Sequence, residues 1–138
     1  MPTKTRKVNY VYLKAPNRPG QATRVLTALR DAGVNLLAFS GFPEGRGTSQ
    51  IDLVTDDMAS LKRVARRHNW KLSRTKRAFL VQGTDKVGAA VAPVAKMAAQ
   101  KINVIAADAV TAGAGRFGML FWVAPRHYNR AAKLLGAR

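Results

Sequence analysis

The stretch VNYVYLKAPNRPGQATRVLTALRDAGVN, residues 8–35, carries three signals in succession. Val8–Leu13 is β-branched and aromatic, the composition of a strand. Asn17-Arg18-Pro19-Gly20 is a short polar loop closed by glycine. From Gly20 onward, Ala22, Val25, Leu26, Leu29 and Ala32 recur at helical spacing, and Gly33 supplies a C-terminal stop. A strand that enters a helix through such a loop leaves bare backbone where a small ligand can approach.

The chain does nearly the same thing 68 residues later, at Asp85-Lys86-Val87-Gly88. That offset pairs Gly20 with Gly88, Asn35 with Asn103, Ala38 with Ala106, Gly45 with Gly113 and Gly47 with Gly115, with no gap. Self-similarity at a fixed period reads as two copies of one supersecondary unit, 1–77 and 78–138. Each copy is too small to bury much alone, so a shared interface is expected.

In the first copy the helix leads to a strand over 34–42, turn chemistry at Pro43–Gly47 and a strand over 50–54. Asp56 or Asp57 then caps a helix whose apolar stripe is Met58, Leu61, Val64 and Ala65, and a fourth strand is predicted over 70–76. The second copy offers a strand over 78–82, then Val91, Val94, Ala95, Ala98 and Ile102 on a helix with Pro93 in its first turn. Strands over 103–111 and 117–123 flank a Gly113–Gly115 turn, and Pro125 opens the last helix. By the offset, the closing strand of this copy should begin at residue 138, so a sheet edge is left to be covered. The fold expected is therefore α+β: two ferredoxin-like βαββαβ repeats, the second lacking its last strand, each an antiparallel sheet with helices on one face.

Hydrophobic residues make up 47% of the 138 positions, enough for a core and against global disorder. The absence of cysteine excludes disulfides, thiol catalysis and iron–sulfur clusters and fits a reducing compartment. Lys4, Arg6 and Lys7 precede a short alternating run rather than a signal peptide, and no stretch is long enough to span a membrane. A cytoplasmic protein is expected.

Catalysis is poorly supplied. The chain has seven carboxylates, and the close pair Asp56–Asp57 is better read as a helix cap. His68 and His127 have no ligand at metal spacing, and no serine sits in a nucleophile elbow. Neither an enzyme, a metal nor a cofactor is expected. The net charge of +17 is concentrated in Lys62, Arg63, Arg66, Arg67, His68, Lys71, Arg74, Lys76 and Arg77. Lys62, Arg63, Arg66 and Arg67 share one helix face, either a solvated surface or a patch for an anion or partner.

At the start of a helix several backbone N–H groups lack intrahelical partners and the dipole is positive. Asn17 and Asp85 add side-chain acceptors, which either receive an ammonium group or close a local turn. An anion site beside such an acceptor is what a free α-amino acid demands. Two loops in the same register favour binding over a plain turn.

Asn17-Arg18-Pro19-Gly20, between strand and helix, resembles the Asn/Asp-x-Pro-Gly signature of ACT domains, and the Ala-Gly-Val-Asn segment at 32–35 resembles that family too. The second copy resembles it more weakly, with Val87 in place of the proline. The resemblance implies a tandem ACT protein: a regulatory module that binds an amino acid between paired copies, their sheets side by side. It further implies that residues 34–39 and 102–107, including Asn35, Leu36, Asn103 and Val104, line pockets facing the loops at 17–20 and 85–88 of neighbouring copies. The orphan sheet edge and the paired interface sites call for a homodimer, and with no catalytic domain fused, regulation would act on a separate partner such as an enzyme, or the protein is a stand-alone sensor.

Two rival readings compete. RNA-recognition domains share the ferredoxin-like fold and stack bases on aromatics of adjacent central strands. Phe117, Phe121 and Trp122 faintly echo that pattern, but the strand over 50–54 has no aromatic and carries Asp52, which would repel phosphate. The third reading is a docking subunit without ligand, its basic helix set against an acidic partner.

Overall fold

The computed structural model describes residues 3–138. Among these, the elements run β1 (Lys4–Pro16), α1 (Gln21–Asp31), β2 (Ala38–Pro43), β3 (Thr48–Val54), α2 (Met58–Arg67), β4 (Lys76–Thr84), α3 (Val91–Ala99), β5 (Val104–Gly113) and β6 (Arg116–Val123). A 3-10 turn at Pro125–His127 then leads into α4 (Tyr128–Leu135). The strands form a six-stranded sheet in the order β2-β3-β1-β4-β6-β5. The chain divides into two compact units, Asn9–Lys76 and the residues up to Val8 together with Arg77–Arg138.

Within Asn9–Lys76, alternation decides what faces the helices. Antiparallel pairing sets Val11 opposite Leu53 and Leu13 opposite Ile51, so these four share one face of the sheet. They pack against Val25 and Leu29 of α1 and Leu61 and Val64 of α2, all buried. Both helices therefore lie on that one face. Of the two aspartates ahead of α2, Asp57 is the cap: its Oδ1 accepts from the Ser60 amide at 3.1 Å. Hydrogen bonds from Ser60, side chain then backbone, hold the Asp57 carboxyl below its ordinary 3.8, with Arg63 adding a smaller pull.

The unit containing Arg77–Arg138 is built the same way. Phe79 pairs with Phe121 and Val81 with Met119, and this face packs against Met97 of α3 and Tyr128, Ala131 and Ala132 of α4. The hydrogen bonds repeat at the offset of the sequence. Asn17 N–H donates to Gly47 O at 3.0 Å, and Asp85 N–H to Gly115 O at 2.9 Å. Val34 N–H donates to Leu29 O at 2.9 Å, and Ile102 N–H to Met97 O at 2.9 Å.

Three strand assignments are corrected. Residues 70–75 are not a strand; Ser73 N–H donates to Tyr12 O at 2.8 Å, but the return bond from Tyr12 N–H goes to the Ser73 hydroxyl at 2.9 Å. A side chain in place of a carbonyl stops the ladder. The strand expected from Val34 begins at Ala38, because Val34 N–H closes the helix end and Asn35 O accepts from Thr55 Oγ1 at 2.8 Å. Finally, β1 is longer than the Val8–Leu13 run and starts at Lys4. Its first half belongs to the unit of β4, its neighbour in the sheet, so the edge expected to be open is covered by the chain's own N-terminal strand. Arg138 joins it there, donating to Thr5 O at 3.4 Å and accepting from Lys7 N–H at 3.1 Å.

The ends of α1 and α3 differ in one informative residue. Gly33 follows α1 with φ 74°, and Lys101 follows α3 with φ 57°, each in the left-handed region. An L side chain there costs about 1–2 kcal/mol, partly offset by glycine's greater freedom in the unfolded chain. Lys101→Gly is therefore expected to stabilise the protein by about 0.5–1 kcal/mol in urea titration, and Gly33→Lys to destabilise it similarly.

Candidate functional site

The Asn17–Gly20 loop joins β1 to α1. Gly20 is the N-cap residue of α1 with φ 91° and ψ −13°, a left-handed conformation that leaves the helix without a side-chain cap. A β-carbon there would meet nothing within 4 Å, so the conformation, not crowding, demands glycine. The Asn17 side chain is already engaged, its Oδ1 accepting from Ser49 Oγ at 2.9 Å.

Beside this loop, within Asn9–Lys76, lies a cleft of about 300 Å³, at the small end of ligand sites. Asn17, Arg18, Gln21 and Ser49 bring polar groups to it. Ala15, Ala22, Phe39, Phe42 and Ile51 make its apolar wall, closed by Pro16 and Pro43. Register explains the hollow. Phe39 pairs with Leu53 and Gly41 with Ile51, so Phe39 and Gly41 rise on the helix side, and at Gly41 no side chain fills the layer. A β-carbon at Gly41 would sit 3.7 Å from Phe39 Cζ, an ordinary contact, so the glycine leaves room without strain. Phe39 and Phe42 remain 43% and 40% exposed, apolar surface available to a ligand.

The other expected residues are placed elsewhere. Asn35 is exposed with its carbonyl held by Thr55, and Leu36 is half-buried against the unit's own core. Pro19 and Gly20 are exposed and flank the cleft in sequence without lining it.

In the second unit the loop and the following strand separate. Asn103 and Val104 line an open hollow of about 490 Å³ with Val94, Ala98, Lys101 and Ile102, but no residue of 85–88 reaches it. The loop itself departs from its counterpart. Residues 87–90 form turns, Val87 is fully exposed, and α3 starts at Val91, three residues beyond Gly88. Pro93 is the reason. Starting at Val91 puts it at the third helical position, where no intrahelical N–H is needed; an earlier start would clash with a carbonyl one turn back. Asp85 and Lys86 are exposed, and Phe117 replaces Ser49 at the matching position, so no hydroxyl is there to engage Asp85.

Of the residues lining the cleft, Asn17, Arg18 and Phe39 fall within the binding segments expected from the sequence, whereas Gln21, Gly41, Phe42, Ser49 and Ile51 do not. One signal was available: a glycine inside a strand marks close approach by something else. Among the described residues, no group of three or more His, Asp or Glu could hold a metal ion. No helix among them is long and apolar enough to cross a membrane.

Two helices on one face of a sheet in the order β2-β3-β1, with a cleft beside the first helix, make a small α+β module. Residues 9–68 match the model of the ACT domain. The match starts where the compact unit Asn9–Lys76 starts. Solved structures share the fold at low identity. A protein from Bacteroides thetaiotaomicron superposes with a TM-score of 0.77 at 12% identity, over 97% of this chain and 88% of that one. The ligand-free regulatory subunit of aspartate kinase from Thermus thermophilus gives 0.67 at 11% identity, over 97% and 94%. The aspartokinase alpha and beta subunits give 0.65 at 14%, over 98% and 95%. No curated protein sequence matches the chain significantly.

Proposed function

We propose that this chain is a non-catalytic regulatory module of two ACT-like repeats, 1–77 and 78–138, that binds a free amino acid. The observation that carries the reading is the cleft beside the Asn17–Gly20 loop. Arg18 offers a cation for the α-carboxylate, Asn17 and Ser49 offer polar partners, and Phe39, Phe42 and Ile51 suit an apolar side chain. The Asp85–Gly88 loop, with its delayed helix, is the weaker twin. A homodimer belongs to this reading: β5 is exposed along most of its length, with Ile105 and Val110 bare, and a second copy would cover them. The regulated activity would reside on a separate chain; the Thermus thermophilus neighbour is itself a regulatory subunit, that of an aspartate kinase.

The test is a thermal-denaturation screen of the twenty amino acids. A ligand at a hundred times its Kd adds about 2.7 kcal/mol of stability, a shift of several degrees. Gly41→Leu, which fills the cleft without touching a left-handed residue, should remove that shift while the protein still melts cooperatively. A flat response to all twenty overturns the reading.

A further inference from the structure

Apart from Arg18, the basic residues of this chain have no part in the cleft. Asn9–Lys76 holds twelve Lys and Arg against five Asp and Glu, and the other unit twelve against two. On α2 the charge is organised. Lys62 and Arg66 stand one turn apart, as do Arg63 and Arg67, and all four are exposed. Two parallel rows result, with cations stacked about 6 Å apart along the axis. Among the described residues, the side chains of Lys62, Arg66 and Arg67 have no hydrogen bond or ion pair; Arg63 Nη2 donates to Ser60 Oγ at 2.6 Å. Like charges one turn apart repel, a cost that an anion lying on the array would relieve.

We propose that the exposed face of α2 binds single-stranded nucleic acid, with Lys62, Arg63, Arg66 and Arg67 on successive phosphates. Three observations favour a nucleic acid over an acidic protein. A repeating row of cations, three of four being arginines with forked donors, suits repeating phosphates. Just past the helix, exposed His68 stacks on Trp70 with ring centroids 5.5 Å apart and planes at 25°, an aromatic face on which a base can continue the stack. And none of the exposed large apolar residues lies on α2, whereas protein interfaces centre on apolar, charge-poor cores. The sheet offers less: Phe121, Trp122 and Tyr10 are buried, and Tyr12 and Phe117 are half-buried.

The experiment is fluorescence anisotropy with a labelled twenty-nucleotide single-stranded RNA across a salt series. Full-length protein should bind at low salt and weaken steeply as salt rises. The variant Lys62→Gln/Arg63→Gln/Arg66→Gln/Arg67→Gln should bind about tenfold more weakly or worse, with the log–log salt slope reduced by about three. A charge-matched variant of the other unit, Lys86→Gln/Lys96→Gln/Arg126→Gln/Lys133→Gln, should lose far less. Equal losses in the two variants overturn the assignment to α2, and so does no binding at low salt. Polyglutamate competing as well as the RNA assigns the surface to an acidic protein instead. Both variants should melt cooperatively, and an amino-acid shift unchanged in the α2 variant separates this surface from the cleft.

Discussion

Tyr128→Ala should destabilise the protein by about 3–5 kcal/mol, the cost of deleting a fully packed aromatic ring. Tyr128 is 2% exposed and lies parallel to Phe79, centroids 4.5 Å apart and planes at 8°. Phe79 in turn meets Phe121 at 5.3 Å, and the Arg77 guanidinium covers the other side of the Tyr128 ring at 4.0 Å. The hydroxyl donates to Ala78 O at 2.9 Å. Tyr128→Phe keeps the stack and loses only that bond, so it should cost about 1 kcal/mol. Urea titrations at a constant m-value measure both, and an alanine variant no worse than the phenylalanine one would show the stack to be dispensable. Burial also raises the hydroxyl above its ordinary pKa of 10.0, against a smaller opposing pull from Arg77. Because the folded state holds this proton more tightly, its contribution is intact below pH 10 and is lost as pH rises through the raised value.

Deleting residues 1–7 should have an effect of similar size, confined to one unit. The deletion strips β4 of its neighbour on one side and removes the partners of Arg138. Buried Thr5 goes with it, and Thr3, whose Oγ1 would lie 3.0 Å from a β-carbon at Gly83, leaves that strand bare. At about 1 kcal/mol net for each lost backbone bond, plus newly exposed surface, the loss should reach about 3–5 kcal/mol. Hydrogen exchange distinguishes where it falls: amides of Arg77–Arg138 should lose protection while those of α1 and β3 keep theirs. Equal protection before and after deletion would mean that residues 4–7 do not hold the second unit together. The bared edge should also promote aggregation.

Most elements were legible because their signals are local. Helical spacing, glycine stops and the Pro43–Gly47 turn each act within a few residues, and α1, α2 and the hairpins follow from them. The first half of β1 was not legible. Three of its first four residues, Lys4, Arg6 and Lys7, are basic, and charge conceals a strand whose partner lies some seventy residues away. The strand predicted over 70–76 failed for the opposite reason: local β propensity was present, but a serine hydroxyl took the place of a carbonyl. At the site, Asn17 and Arg18 were legible from loop chemistry. Gly41 and Ile51 were not, because their meeting depends on the register of β2 against β3, which no spacing along the chain reveals.

The division of β1 between two units sets an order of events during synthesis. Lys4–Val8 leaves the ribosome before Asn9–Lys76, yet its partner strand β4 is completed only after that whole unit. The contiguous unit can fold as it emerges, while the leading segment waits for a contact of long sequence separation, the slowest kind to form. A segment made before the contiguous unit is thus among the last to find its place.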